Sequence, residues 1–412
     1  MISFHQAIKI VLDSMKPVDA ESCPLSSLHG RVLAQDVAAP MDVPPFDNSA
    51  MDGYALSSAD TAGARDDRPI SLPVSAEIAA GESAVAPFLK GSAIRILTGA
   101  PIPPGADAVI EQEQVELEHD LVRLKEPVSP GRNVRSKGED ITRGTRVLQQ
   151  GDLLDAARVG IVASIGIGTL QVYRVPRVAI LPTGNELVDV SQPLKGGQIH
   201  DSNSFTLQGL VREAGCNPIL VGPASDSMED LKRKIKTGLA ADALITAGGV
   251  SVGTRDMVLQ AFRELGVEIL FWKVKIKPGM PFAYGQYRPA GFRREVPVFA
   301  LPGNPVSAMV TFLLLVRPAL RSLMGATEGS GGTKLKARLG HEYSKKDDRL
   351  HFARGIVRNE NGTLVVRTTG SQSSGVLTSL SLANCLIVIP ESEHLMKAGA
   401  EVEVWLTREV AI

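Results

Sequence analysis

From Pro176 to Met324 short apolar segments alternate with helix-patterned ones, and Gly or Pro marks almost every switch. No other feature constrains the fold as strongly. Residues 177–181 read as a strand ending in Pro182-Thr183-Gly184-Asn185-Glu186. Residues 204–214 read as a helix stopped by Gly215, a left-handed C-cap position. Strand 218–222, helix 228–238 and strand 243–247 follow, the last ending in Gly248-Gly249. Helix 256–265 stops at Gly266, and strand 298–301 runs through Pro302-Gly303-Asn304-Pro305 into helix 306–324. Strands alternating with helices predict an α/β fold with a parallel doubly wound sheet. In that architecture the ligand lies beyond the carboxyl ends of the strands.

At 412 residues the chain exceeds what one ordinary core organises. Residues 3–15 carry an apolar stripe at helical spacing with Ser3 as N-cap, and Pro40, Pro44 and Pro45 make an elbow. Between 46 and 135 short apolar runs separated by Gly/Pro turns read as a small β-rich domain. Helical patterning returns at 154–165, so the flanking segments read as one unit with the β-rich domain inserted. After Gly325 a Gly/Ser-rich hinge precedes a β-patterned region, where Asn361-Gly362 is a hairpin signal. The expected division is a multidomain chain. A two-segment linker takes 1–45 and 136–175, an inserted domain 46–135, a doubly wound domain 176–326 and a C-terminal β domain 327–412.

Lysine plus arginine number 44 against 45 acidic residues, a net charge of −1, which argues against bulk attraction to nucleic acid or an anionic membrane. Cys23, Cys216 and Cys385 are far apart and show no metal-ligand spacing, which suits a reducing cytoplasm. No cleavable leader pattern precedes Pro17, and the longest apolar run, 308–316, is too short to span a bilayer.

The loops at 182–186, 248–253 and 302–307 fall on one sheet edge. Their glycines allow close backbone approach, and each following helix offers free N–H groups to an anion. Asn304 suits an N-cap and Pro305 the first helical position. Any one such loop reads first as a tight turn; three on one edge read as a ligand site. Neither a phosphate-binding GxxxxGK[ST] nor a GxGxxG fingerprint occurs. Read as a strand, residues 271–277 put Lys273, Lys275 and Lys277 on one face, where they repel unless an anion or carboxylates intervene. A lysine-guarded edge strand is the plain alternative. Phe46-Asp47-Asn48-Ser49-Ala50-Met51-Asp52 concentrates oxygen donors that suit either a capped turn or magnesium. Arg135-Ser136-Lys137-Gly138-Glu139-Asp140 is a similar charged turn, and the seven histidines are scattered.

Taken in order, residues 46–55, Thr98-Gly99-Ala100-Pro101, Gly138-Glu139-Asp140, and the segments 183–187, 248–256, 277–281 and 301–307 resemble the MoeA family. The resemblance covers nearly the whole chain, and the family is similar to the E domain of gephyrin-type proteins. It implies a MogA-like doubly wound domain, an inserted β-rich domain, a two-segment linker and a C-terminal β-barrel. It also implies an elongated homodimer, with each cleft between the doubly wound domain of one subunit and the inserted domain of the other. The implied reaction takes adenylylated molybdopterin, molybdate and magnesium; molybdenum enters the dithiolene and AMP leaves. A MogA-type adenylyltransferase and molybdoenzyme apoproteins are the implied partners.

Carried over by motif, Asp52, Asp140, Glu186, Lys273 and Lys277 would act in catalysis. Thr98, Asp226, Gly248, Gly249, Ser251, Pro302 and Pro305 would bind substrate, joined by Arg354 and Ser374 from the C-terminal domain. Asp52, Glu186 and Asp256 would hold magnesium. Asn185 stands where many relatives have Asp and Met280 where many have Lys, and Ser371-Gln372-Ser373-Ser374 lacks a histidine found in some. Two other functions stay open: a MogA-type molybdopterin adenylyltransferase, against which the additional domains speak, and a dimeric scaffold of gephyrin type, against which the carboxylate set speaks.

Overall fold

The computed structural model describes residues 1–82, 88–249, 257–289, 291, 294–327 and 332–408. The chain forms two compact units. One comprises Met1–Gln35, Gln150–Leu154 and Leu170–Ile412, the other Asp36–Gln149 and Asp155–Thr169.

The first unit is built on a six-stranded sheet. Its strands lie in the order Asn217–Leu220, Arg177–Pro182, Ala243–Ala247, Val296–Leu301, Ala283–Tyr287 and Val267–Trp272. The first four are mutually parallel. Alternate residues of Arg177–Pro182 enter two different cores, because side chains alternate across a strand. Val178 and Ile180 pack with Leu207, Leu210 and Val211 of the helix Ser202–Glu213. Ala179 and Leu181 pack with Leu231 and Ile235 of Met228–Gly238 and with Val258 and Phe262 of Met257–Glu264. The sheet is thus covered on both faces, and Ala243–Ala247 and Val296–Leu301 are buried along their whole length.

The sheet is not wholly parallel as the sequence pattern suggests. Ala283–Tyr287 runs antiparallel to both neighbours. Only residues 273–282 and 288–295 connect it to them, too few for a crossover helix. The expected lysine face is also absent. The strand Val267–Trp272 ends at Lys273, whose φ is +68°, and Ile276–Lys277 pairs instead with Leu350 and His351 of the C-terminal region. Lys275 then meets Glu391 at 3.0 Å and Lys277 meets Asp347 at 3.3 Å, while the Lys273 ammonium lies 4.0 Å from the Trp272 ring centroid.

The long helix Pro305–Leu323 is apolar enough to cross a membrane by length and composition, but 78% of its most apolar window is buried inside the protein. It widens to a π-helical stretch at Phe312–Val316, and Pro318, two residues further on, has no N–H to give back to that turn. At the amino terminus Ser3 and Gln6 form a capping box over Phe4–Asp13, and the buried stripe Phe4, Ala7 and Val11 joins the core.

The C-terminal region closes into a five-stranded barrel. Leu350–Glu360, Thr363–Thr368, Lys334–Leu339, Glu401–Leu406 and Cys385–Ile389 pair in turn, and the last returns to the first. Ala337, Val357, Val366, Ile387 and Val404 fill it. Asn361 and Gly362, both at positive φ, form its hairpin turn as the sequence signals.

The second unit carries another six-stranded sheet, in the order Ala108–Glu111, Gly53–Leu56, Ala93–Ile96, Ile70–Ile78, Leu121–Leu124 and Glu116–Glu118. Tyr54, Leu56, Ile110 and Val122 form one small core and Ile78, Ile94 and Ile96 another. A Cβ at Gly53 would overlap the Ile110 carbonyl, so the strand Gly53–Leu56 must begin without a side chain.

Candidate active site

The described parts of the three Gly/Pro loops of the first unit, with Gly248 and Gly249 standing for the second, converge as their strand order requires. They wall a cavity of about 450 Å³ that includes Glu186, Asp226, Gly248, Gly249, Pro302 and Pro305. The two glycines at 248 and 249 have φ of +105° and +67°. A Cβ at Gly248 would lie 2.6 Å from the Thr183 carbonyl oxygen, and one at Gly249 would lie 2.5 Å from Val258. Glycine is therefore required twice over, by conformation and by the closeness of the neighbouring loop. Glu186 and Asp226 are both exposed to this cavity. The Asp226 backbone N–H donates to the Asn185 side-chain oxygen at 2.9 Å, which holds the two acidic loops side by side.

A group missed by the sequence reading lines the same cavity: Asp201, Ser202 and Asn203 at the start of the helix Ser202–Glu213. Asp201 caps the helix through the N–H and hydroxyl of Ser204. Asn203 donates to the Gly303 carbonyl at 2.8 Å and fixes the third loop. The N-cap pattern Asp-Ser-Asn-Ser was the available signal. Asn304 does occupy the N-cap position of Pro305–Thr311, but its side chain does not cap the helix and instead donates to the Ser374 hydroxyl at 3.2 Å.

That bond leads into an adjoining cavity of about 760 Å³, which shares Pro281, Pro302 and Asn304 with the first. Lys277 and Ser374 line it, with Lys345, Lys346, Arg349 and His351. Lys273 lines neither cavity. Arg354 is 1% exposed, so it reaches no ligand directly. Its guanidinium donates to the carbonyls of Ser371 at 3.2 Å and Ser373 at 3.0 Å and to the Ser379 hydroxyl at 3.1 Å. It therefore shapes the loop that presents Ser374. Asp347, held by the Arg349 fork and His351, is kept far below the usual carboxylate range and anchors Lys277 as an anion. Burial lowers the pKa of His351 against the pull of Asp347, so its ring is neutral at pH 7.

In the second unit the remaining motifs come together through backbone pairing. Asn48 and Ser49 pair with Arg135 and Val134, and Gly99 and Ala100 bond to Ser49. Asp47 accepts the Lys137 N–H at 2.7 Å. Asp52 is exposed, and one of its oxygens accepts both the hydroxyl and the N–H of Thr98, each at 2.7 Å. These two bonds depress its pKa, so it is ionised at neutral pH. Asp140 is exposed on the neighbouring turn, where its N–H donates to the Val43 carbonyl at 3.0 Å. Ser251 and Asp256 lie outside the described residues. Among the described residues no set of three or more His, Cys, Asp and Glu side chains is gathered as a metal cage. Two exposed carboxylates in one cavity do suit magnesium, which binds through one or two carboxylates and keeps water and substrate oxygens as its other ligands.

Residues 2–166 match the MoeA N-terminal region (domain I and II), 179–322 a probable molybdopterin binding domain, and 336–407 the MoeA C-terminal region (domain IV). A molybdopterin molybdenumtransferase of Haemophilus influenzae is 37% identical over 98% of both chains. Molybdopterin molybdenumtransferase 2 of Mycobacterium tuberculosis is 37% identical over 98% of this chain and 99% of its own. The crystal structure of the molybdopterin biosynthesis MoeA protein from Pyrococcus horikoshii OT3 superimposes with a TM-score of 0.84 at 35% identity, covering 98% of this chain and all of that one. With its three segments matched in order and full-length relatives of this similarity, the chain belongs to the MoeA family of transferases in molybdenum cofactor biosynthesis.

Proposed function

We propose that this protein inserts molybdate into the dithiolene of adenylylated molybdopterin and releases AMP, in a magnesium-dependent reaction. The observation that carries the reading is the strand-end cavity, where Glu186 and Asp226 stand beside the Gly248-Gly249 and Pro302–Pro305 loops, in a chain of this family. The reaction gathers several anions. Lys277 and the cations beside it in the adjoining cavity would offset their charge, and Ser374 would donate a hydrogen bond to an oxyanion. Pro302 and Pro305 would shape the molybdate region. Arg354 acts as a positioning residue through the loop that carries Ser374. Glu186 would hold magnesium, with Asp52 and Asp256 as the further ligands that the resemblance implies; the metal would neutralise phosphate oxygens. Asp52, clamped by Thr98, would keep its charge for this role, and Asp140 would serve the same reaction.

The protein would act as a homodimer in the cytoplasm, where its three buried thiols stay reduced. Its substrate would come from an adenylyltransferase and its product would go to molybdoenzyme apoproteins. The decisive measurement is AMP release from adenylylated molybdopterin. Release that requires both molybdate and magnesium supports the transferase reading. Tight binding without release would turn it into a scaffold, and ATP-dependent adenylylation of free molybdopterin would make it an adenylyltransferase. Asp52→Asn keeps an oxygen that can accept both Thr98 bonds and removes only the charge. It should retain the fold and lose turnover.

A further inference from the structure

The amino-terminal edge of the same sheet carries a second concentration of charge, remote in the strand direction from the Gly/Pro loops. Asp242 precedes the strand Ala243–Ala247 and is 3% exposed. Its carboxylate accepts both terminal nitrogens of Arg174, one of them at 2.6 Å, together with the Arg177 backbone N–H at 2.7 Å and one terminal nitrogen of Arg294. Two guanidiniums thus share a single carboxylate whose acceptor positions are filled. The other terminal nitrogen of Arg294 is buried without a partner.

A cavity of about 520 Å³ opens beside this cluster, and its wall adds Arg177, Lys236 and Asp19. Four cationic side chains therefore face two carboxylates, one of them already committed. The Arg177 side chain gives a hydrogen bond to the Ala240 carbonyl, and Lys236, exposed in the last turn of Met228–Gly238, forms no ion pair among the described residues. A cluster whose only task was to tie strand ends together would balance its charges, because uncompensated cations in a cavity repel. Leu239, Tyr287 and Pro289 give the same cavity an apolar wall.

We propose that this cavity binds a dianionic phosphate group, as the free ion or as the monoester of a small organic molecule. Arg177 and Lys236 contact it from the rim, in front of the Arg174–Asp242–Arg294 cluster. Guanidinium and ammonium donors suit phosphate oxygens, and two negative charges match the excess of cations. The apolar wall would receive the organic part of a monoester. The proposal does not depend on the transferase reading, since it uses none of the residues assigned to that site.

The test is calorimetric titration of the full chain at constant ionic strength, with inorganic phosphate and separately with phenyl phosphate. The double variant Arg177→Ala/Lys236→Ala keeps the Arg177 backbone bond to Asp242, so its fold should be intact. It is expected to weaken binding by about tenfold or more, whereas Lys277→Ala at the opposite edge leaves one site unchanged. Tighter binding of phenyl phosphate would assign the site to a monoester, and equal affinities to the free ion. No saturable binding of either probe overturns the proposal. So does binding that survives the double variant or disappears with Lys277→Ala.

Discussion

The two edges of the α/β sheet handle charge in opposite ways. At the carboxyl edge Glu186 and Asp226 are exposed, and their two loops are linked by the Asn185 side-chain oxygen, which takes the Asp226 backbone N–H and leaves both carboxylates open. At the amino edge Asp242 is buried and its oxygens are taken up by Arg174, Arg294 and a backbone N–H. A carboxylate bound on every side stabilises a fold but has nothing left for a ligand. A carboxylate left open adds little to stability and is free to meet a cation or a substrate. The difference teaches that a carboxylate's charge alone does not suit it to a cation or a substrate; acceptor positions left unfilled do.

The comparison breaks most directly at Asp242. Replacing it with Asn leaves two guanidiniums around a neutral amide, and we expect a loss of about 3 kcal/mol of stability. Denaturant unfolding measures this, and turnover per folded molecule should stay at the wild-type value. Glu186→Gln is the mirror experiment: if Glu186 acts as proposed, turnover should fall about a hundredfold or more, because a charge beside the reacting groups is lost. Its unfolding midpoint should hardly move, since the side chain is exposed. If Glu186→Gln destabilised the protein instead, the open edge would be structural and the contrast would fail.

Acid sharpens the same contrast by titrating rather than mutating. Burial would raise the pKa of Asp242, but the hydrogen bonds from Arg174 and Arg177 and the charges of Arg174 and Arg294 outweigh it and hold the pKa at about 2. A folded-state pKa below the ordinary value of 3.8 gives stability that is present above that value and lost as pH falls toward about 2. From the shift we expect about 2 kcal/mol to disappear over that interval, on top of other carboxylates. In Asp242→Asn this component should be missing, so the stability difference between the two proteins should narrow between pH 4 and pH 2.

Much of this arrangement is legible in the sequence, and the reasons for success and failure are local. Strand Ala243–Ala247 and helix Met228–Gly238 coincide with their apolar patterns because each has one dominant period and a clear stop. The three loops were readable because Gly and Pro mark them and strand order then brings them together. The alternating lysines misled because periodicity assumes one continuous strand, and the left-handed turn at Lys273 ends it. Ile276 and Lys277 take their partners from Leu350 and His351, a long-range pairing that no local pattern encodes. Arg354 has the composition of an anion ligand; only its burial under Ser371 and Ser373 reveals that it serves a loop. Likewise nothing in the text around Asp242 announces that arginines at 174 and 294 converge on it.

The smallest effect tests how the open edge is joined to the barrel region. The Asn304 side chain reaches the Ser374 hydroxyl across the two cavities, and both residues are partly accessible to water. A neutral hydrogen bond in such a place contributes about 0.5–1 kcal/mol, and water can replace part of it when it is removed. Asn304→Ala should therefore shift global stability by less than about 1 kcal/mol. Its consequence should be local: the loop carrying Ser374 loses its tie to the sheet edge but keeps the Arg354 bonds to its carbonyls. Amide exchange should rise in residues 371–375 and nowhere in the sheet, and the apparent affinity for molybdate should fall more than the maximal rate. Arg354→Ala removes the other support and should produce a larger rise over the same residues. Equal exchange in wild type and Asn304→Ala would mean that Arg354 alone fixes the loop. The open edge would then owe its geometry to the barrel rather than to the bond between Asn304 and Ser374.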